Sequence, residues 1–322
     1  MPSGENREVS VVILTRNSAR TLERCLISVK AQEPLEILAV DARSSDGTLK
    51  ILERYGVTVL LDSAGSLGYS RQLGAGTAKG PYVMFVDSDV ELGPSCIMTL
   101  REELEKLGWV GIHAKIVSNE KLTYWQKAED EAFSLFFNHA GPKANIGTIA
   151  ALFRRDVLLR HPFDTNLRES CEDVDLCLRL GHSGYRVGVS SAVAYHRHRR
   201  EFSAFARRRF RYGLGDARLA LKYRSNRILV APLVATFSQI VPIMRARRIR
   251  IVPYLFLGAS IESIGTFAGL SRARRDLLAG LRVATQAENM SGSAFVSSGL
   301  STHQHTVECT YVLTSANHWK PE

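Results

Sequence analysis

From residue 9 onward, short apolar runs alternate with longer stretches in which apolar residues recur at helical spacing. Val9–Leu14, Leu35–Asp41, Val57–Asp62, Tyr82–Asp87 and Val110–Val117 are near-continuous apolar runs, the pattern of strands buried on both faces. Ala19–Gln32, Asp46–Tyr55, Ser66–Ala78 and Pro94–Leu107 read as the helices between them. Ser45 or Asp46 caps the second helix, and Pro94 stands near the first turn of the fourth. This βαβα rhythm predicts an α/β fold, a doubly wound and mostly parallel sheet with helices on both faces. Ligands of such sheets sit beyond the carboxyl ends of the strands. Here those ends read Thr15-Arg16-Asn17, Asp41, Asp62 and Asp87-Ser88-Asp89, so the chemistry is expected along one edge.

The regularity then loosens. Lys121–His139 reads as a helix, Gly147–Phe153 as a strand, Glu172 to about His182 as a helix and Tyr185–His196 as a strand. Asp175 and Arg179, at i and i+4, are spaced to pair along their helix. Three regions follow: an α/β domain over 1–200, a basic and apolar helical region over 201–283, and a flexible Ser/Thr/Gly-rich tail over 284–322. His303, His305, Cys309 and His318 in the tail match no metal-ligand spacing.

Composition adds where the chain works. Five widely spaced cysteines without a CxxC pair point to a reducing compartment. The N-terminus MPSGENREVS has no apolar h-region, so residence on the cytosolic side is expected. Of the net charge of +10, ten arginines fall between Arg197 and Arg227, interleaved with Phe202, Phe205, Phe210 and Tyr212. That pattern suits either nucleic acid or a membrane-surface helix, arginines on lipid phosphates and aromatics in the interface. The sequence after it favours the membrane. Ile228–Met244 is 17 residues without a charge, and Ile251–Leu270 is 20 residues with only Glu262. A spanning hairpin would leave the loop RARRIR outside, against the positive-inside rule. Helices lying in or re-entering the interface are therefore expected, with a spanning hairpin and a soluble helical cap as alternatives. Nucleic acid is not an expected partner.

Asp87-Ser88-Asp89 ends a buried strand on two carboxylates, which repel unless a cation or strong donors stand between them. Three other segments accompany it: VSVVILTRNSARTLERCLISV, ILAVDARSSDGTLKIL, and FDTNLRESCEDVDLCLRLGHSGYRVGV. With GYSRQLGAGTAKGPYVMFVDSDVEL they stand in the order and approximate spacing of the family 2 (GT-A fold) glycosyltransferases, which residues 8–200 resemble. The resemblance implies a nucleotide-sugar-binding domain that moves a sugar from a nucleotide-diphosphate donor to a lipid-linked or membrane-proximal glycan acceptor. It implies an inverting, metal-dependent reaction in polysaccharide biosynthesis, on the cytoplasmic side of the cell membrane. Asp89 would be a ligand of Mg²⁺ or Mn²⁺, with His196 completing the site and His198 competing for that role. Asp87 would contact the ribose or a metal-bound water, Arg71 the diphosphate, and Thr15, Asn17 and Asp41 the base and ribose. Asp173, with Glu172 beside it, would be the base. Glu91 is expected to be solvent-facing charge outside the site.

One departure stands out. The family often has a second acidic residue after the Asp41 position, then Gly or Asn; this chain has Ala42 and Arg43. Three other readings fit parts of the pattern. A haloacid-dehalogenase-like phosphatase also has Asp-x-Asp after an apolar strand, but on its first strand and followed by Thr, whereas Val90 follows here. GAGTAKG suggests a dinucleotide site, but its glycines precede a strand instead of leaving one. A non-catalytic GT-A scaffold binding membranes or partners is opposed by the intact Asp89, Glu172 and Asp173.

Overall fold

The computed structural model describes residues 8–118, 120–121, 123–198 and 200–290. The first half runs β1 (Val9–Thr15), α1 (Leu22–Lys30), β2 (Glu36–Asp41), α2 (Thr48–Arg54), β3 (Thr58–Leu61), α3 (Leu67–Thr77), β4 (Tyr82–Asp87), β5 (Val90–Leu92), α4 (Cys96–Leu107) and β6 (Gly111–Val117). Next come α5 (Tyr124–Ala132), β7 (Gly141–Lys143), β8 (Ala150–Arg154), α6 (Arg155–Arg160), α7 (Glu172–His182) and β9 (Val187–His196). Four helices close the described chain: α8 (Phe202–Tyr223), α9 (Asn226–Ser238), α10 (Ile240–Arg245) and α11 (Val252–Met290).

The sheet is ordered β3-β2-β1-β4-β8-β6-β9-β5, with β7 on β9. The βαβα rhythm holds through β3-β2-β1-β4, which are parallel. Beyond β4 the sheet is mixed, because β8 runs antiparallel to both β4 and β6. Register places Thr15 beside Asp41 and Leu14 beside Asp87, so the polar strand ends stand level at one edge. Side chains of β1 alternate between the two faces. Val11 and Ile13 pack with Leu22, Leu26, Ile97 and Leu100 of α1 and α4. Val12 packs on the other face with Ala75, Phe85, Leu176 and Leu180, which seats α3 and α7 there.

Two short elements escape the sequence pattern. The three residues of β5 pair antiparallel with β9, matching Val90 to His196, and so draw the Asp87–Asp89 turn against that strand. Glu91 thus lies in a strand, 3.9 Å from Arg24, and not in a free stretch before a helix. The helix expected over 121–139 begins at Tyr124 under a Thr123–Gln126 capping box, and widens into a π turn at Phe133–Phe137.

The basic segment packs much of its length against the chain itself. Phe205, 1% exposed, stacks on Trp125 at 4.9 Å and joins a core with Phe136, Ile243, Ile251 and Tyr254. Most of its charges meet carboxylates of the chain: Arg208 with Glu129, Arg209 with Glu262, Arg218 with Glu169, and Lys222 with Asp164 and Asp175. Helix α11 lies close along it, since a methyl on Gly213 would sit 1.9 Å from the Glu262 carbonyl oxygen. Exposed apolar side chains instead gather on the following helices, at Val230, Val234, Phe237, Val241, Met244, Ile264 and Phe267. Helix α11 runs to Met290, past residue 283 where a tail is expected to begin. His303, His305, Cys309 and His318 lie outside the described residues. Cys25, Cys96, Cys171 and Cys177 are buried free thiols.

Candidate active site

Thr15, Asn17, Arg71, Asp87, Asp89, Glu172 and Asp173 line one cleft of about 3460 Å³. Residues up to 158 positions apart in the chain meet there because β1 and β4 end at the same level and α7 starts opposite them. Asp41 stands behind the cleft wall, 0% exposed. Its carboxylate accepts hydrogen bonds from Thr15 Oγ1 (2.9 Å), Ser44 Oγ (2.6 Å) and the Ser44 backbone N–H (2.8 Å). Asn17 locks the same loop, its Oδ1 accepting from the Ser45 N–H at 2.9 Å. A base that contacts Asp41 must therefore reach a carboxylate that already accepts three hydrogen bonds and has no exposed surface. Arg43, in that loop, adopts the left-handed conformation (φ 56°) favoured by the Gly or Asn of the related pattern. The departure at this position changes the side chain but not the backbone path.

Arg71, 6% exposed, is the electrostatic centre. One guanidinium nitrogen bonds Glu172 and another lies 4.0 Å from Asp87, so it bridges the strand-end turn and the start of α7. Burial opposes its charge, but Glu172, Asp87 and Asp173 raise its pKa above the ordinary arginine value. The carboxylates around it are held as weak acids. Burial, only partly offset by Arg71 and reinforced by Asp173, pushes Glu172 up to about 7. Burial, eased by Arg71 but sharpened by Asp89, pushes Asp87 up to about 6. Asp173 is raised too, by burial against the relief of Arg71. Cys171, with φ 68°, turns the chain into α7 so that Glu172 points back to Arg71 and Asp173 to the cleft.

These shifts have a stability consequence. Between each carboxyl's ordinary value and its raised one, the folded chain binds more protons than the unfolded chain. Stability of the metal-free protein therefore falls as pH rises from about 4.5 through about 7, the window set by Glu172. The melting temperature is expected to drop over that range, and Glu172→Gln to flatten the slope. A slope unchanged by that substitution would contradict the assignment.

On the other side of the turn, Asp89 Oδ1 lies 3.4 Å from His196 Nε2. The Arg197 N–H also donates to the Asp89 carbonyl at 3.1 Å. His196 Nδ1 lies 2.8 Å from His198 Nδ1, and His198 Nδ1 lies 3.6 Å from Glu129. Burial works against charge on His196, yet Asp89 and Glu129 raise its pKa; burial pushes His198 down to about 4. Of the two histidines, His196 is the one beside Asp89, whereas His198 is the one that lines the cleft. Glu129, His196 and His198 also bring their ligand atoms within 4.8 Å of one another.

Sequence reasoning missed Glu129, Arg208 and His113. His113 on β6 is buried, its Nε2 without a hydrogen-bond partner, and a methyl on Gly147 would lie 3.8 Å from both that atom and Asp173 Oδ2. Nothing in the local pattern marks His113, since it reads as one more residue of a strand.

Residues 10–161, which contain the first three strand ends, Arg71 and the Asp87–Asp89 turn, match the model of glycosyl transferase family 2. The chain carries a family 2 glycosyltransferase domain. It is 33% identical over 102 residues to a poly(ribitol-phosphate) beta-glucosyltransferase of Bacillus spizizenii, a match covering 28% of this chain and 16% of that protein. It is 29% identical over 125 residues to the uncharacterized glycosyltransferase EpsJ of Bacillus subtilis, covering 36% of each. The chain thus spans about a sixth and about a third of these relatives. The crystal structure of S. aureus TarS residues 1–349 superposes with a TM-score of 0.47 at 18% identity, covering 84% of this chain and 92% of that one. The glycosyltransferase match stops before Glu172-Asp173, so the acceptor half of the site rests on geometry.

Proposed function

We propose that this protein is a metal-dependent, inverting glycosyltransferase that moves a sugar from a nucleotide-diphosphate donor to a lipid-linked or membrane-proximal acceptor. One observation carries the proposal: Arg71 ties the Asp87–Asp89 turn to Glu172, beside the cleft-facing carboxylate of Asp173. The relatives' names favour glycan or polymer synthesis as its setting.

Asp89 and His196 fit a divalent cation. An oxygen and a nitrogen donor face one another at 3.4 Å, and Asp87 adds a second carboxylate that is costly to ionise there without positive charge. Mn²⁺ suits such a mixed set at least as well as Mg²⁺. When bound, the cation supplies positive charge for the two phosphates as the leaving group gains electrons. Arg71 adds fixed positive charge on the same side and holds Glu172 in place. Asp173 takes the proton of the acceptor hydroxyl while that oxygen forms its bond to the anomeric carbon. The bond from that carbon to the diphosphate oxygen breaks, and its electron pair leaves with the nucleotide. The raised pKa of Asp173 makes it a stronger base than an ordinary aspartate. Asn17 and Thr15 border the donor end, and Asp41 orders the loop between them.

To ligate a cation, His196 Nε2 must give up its proton while Nδ1 keeps its own, and His198 Nδ1 is placed to accept that bond. His198→Ala is expected to weaken Mn²⁺ binding about tenfold or more, read by electron paramagnetic resonance without substrate. Unchanged affinity would remove His198 from that role.

A membrane surface is the second half of the proposal. The segments Asn226–Arg245 and Ile249–Arg275 are long and apolar enough to cross a bilayer, and only 11% and 33% of their apolar windows are buried. Between them Arg245, Arg247, Arg248 and Arg250 are exposed, matching anionic headgroups. The reading of helices lying in or re-entering the interface, on the cytoplasmic side, follows. Because Phe205, Ile243 and Tyr254 share a core with α5, truncating these helices would uncover it. Val234→Asp with Phe237→Asp tests the surface without that damage. Flotation with anionic vesicles is expected to fall at least about tenfold; equal flotation would refute membrane docking through this face.

The decisive experiment screens nucleotide sugars for hydrolysis or transfer with Mn²⁺, Mg²⁺ or chelator. Activity that needs neither metal nor Asp89 and Asp173 would overturn the proposed function.

A further inference from the structure

The six basic residues of α8 divide into two groups. Arg208, Arg209, Arg218 and Lys222 pair with carboxylates at 2.5, 3.2, 3.1 and 2.6 Å. Arg207 and Arg211 pair with no carboxylate among the described residues, and both are exposed. Arg211 spends one N–H on the backbone carbonyl of Glu169 at 3.3 Å. One turn apart, the two share a face of the helix. Arg168, just before Glu169, is exposed and likewise without a carboxylate partner among the described residues. All three line the cleft.

Their place in the fold is specific. Ser170 Oγ donates to the carbonyls of Arg211 (3.2 Å) and Tyr212 (3.4 Å). Cys171 Sγ lies 3.4 Å from Asp216 Oδ1. These contacts hold this turn of α8 against the segment that leads directly into Glu172-Asp173. Arg168 and Arg211 are thereby tied to the segment that leads into Asp173, while Arg208 of the same helix turn reaches Glu129.

Elsewhere on α8 this chain supplies a carboxylate to nearly every cation. Arg207 and Arg211, like charges one helix turn apart, repel modestly, and an anion between them removes that cost. Their planar forks match a phosphate's oxygens. We propose that Arg168, Arg207 and Arg211 bind a phosphate carried by the acceptor close to its accepting hydroxyl. The assignment rests on Asp173 as the base of glycosyl transfer. It names the acceptor's chemistry, a phosphate-bearing hydroxyl compound, whether that phosphate belongs to a lipid carrier or to a polyol-phosphate polymer.

The test begins with the full-length Asp89→Ala protein, in which the donor side lacks its carboxylate ligand. A soluble glycerol-phosphate oligomer titrated by calorimetry then reports on the arginines. It is expected to bind, and Arg207→Gln with Arg211→Gln to weaken binding about tenfold or more. Binding that ignores these substitutions, or that is lost already in Asp89→Ala, overturns the proposal. In transfer assays on the protein with Asp89 intact, the same pair is expected to raise the KM for phosphate-bearing acceptors about tenfold, with the donor KM unmoved. Two acceptors separate the sources: the soluble oligomer, and a polyprenyl-phosphate-linked sugar in phosphatidylcholine vesicles. A response to the second alone assigns the phosphate to a lipid carrier, and a response to the first assigns it to a polymer; either supports the site. Arginine dependence seen only as binding to phosphatidylserine vesicles makes the patch a membrane anchor and defeats the proposal. Failure of every donor to react would strike the transferase reading instead, leaving calorimetry to decide the phosphate site.

Discussion

Asp89→Ala is expected to lower sugar transfer about 10²–10³-fold and to weaken Mn²⁺ binding together with it. Asp89 faces His196 at 3.4 Å, whereas Asp87, on the other side of the turn, faces Arg71. The loss belongs to chemistry and not to folding. Its side chain is only partly buried, and its removal relieves the repulsion that helps hold Asp87 at about 6. The melting temperature of the variant is therefore expected to match or exceed that of the parent. Steady-state transfer at saturating donor, with Mn²⁺ varied, measures both effects. Retention of full activity would show that the cation, if one is used, sits elsewhere. A fall in melting temperature parallel to the loss of activity would point to misfolding.

The second large effect belongs to Asp173→Asn. This nearly isosteric change keeps an acceptor for the Val174 N–H, now at 2.8 Å, but leaves no group able to take a proton. The expected loss is about 10²–10⁴-fold in kcat, the usual worth of a general base, with the donor KM and Mn²⁺ affinity little changed. The pH profile supplies a second readout. Burial raises the pKa of Asp173, so activity should fall on the acid side at a pH above that of an ordinary aspartate. Glu172→Gln should behave differently: it removes the partner of Arg71, so its donor KM and its melting curve move along with kcat. If the two variants were indistinguishable, the division between a base and a positioning carboxylate would fail.

Much of this was legible in the chain itself. The apolar runs and helical spacings located β1 to β4 and α1 to α4 to within a few residues, because burial on both faces of a central sheet demands near-continuous apolar strands. Strand ends named Thr15, Asn17, Asp87 and Asp89, and the family resemblance named Arg71, Glu172 and Asp173; all seven line the cleft. Local pattern was blind where a residue's role depends on what crosses over it. Asp41 read as a cleft residue, but Ser44 and Thr15 enclose its carboxylate. Arg71 read as a long arm for a diphosphate, but a residue 101 positions away in the chain claims one of its nitrogens.

The helical region shows the same division. Arginines among aromatics look alike on a membrane helix and on a strut, since one-dimensional spacing does not reveal which carboxylates lie opposite. Glu129, Glu169 and Glu262 neutralise α8 from three different elements, and only the folded chain brings them there. The sequence by itself determined the strand-and-helix alternation, the acidic turn at Asp87–Asp89 and the carboxylate pair at Glu172-Asp173, because periodicity and strand ends are local properties. Tertiary structure decided that three-residue β5 sets Asp89 against His196, that His198 lines the cleft, and that Arg207 and Arg211 meet no carboxylate among the described residues. Those outcomes depend on long-range pairing, in which a side chain's partner is fixed by the path of the whole chain.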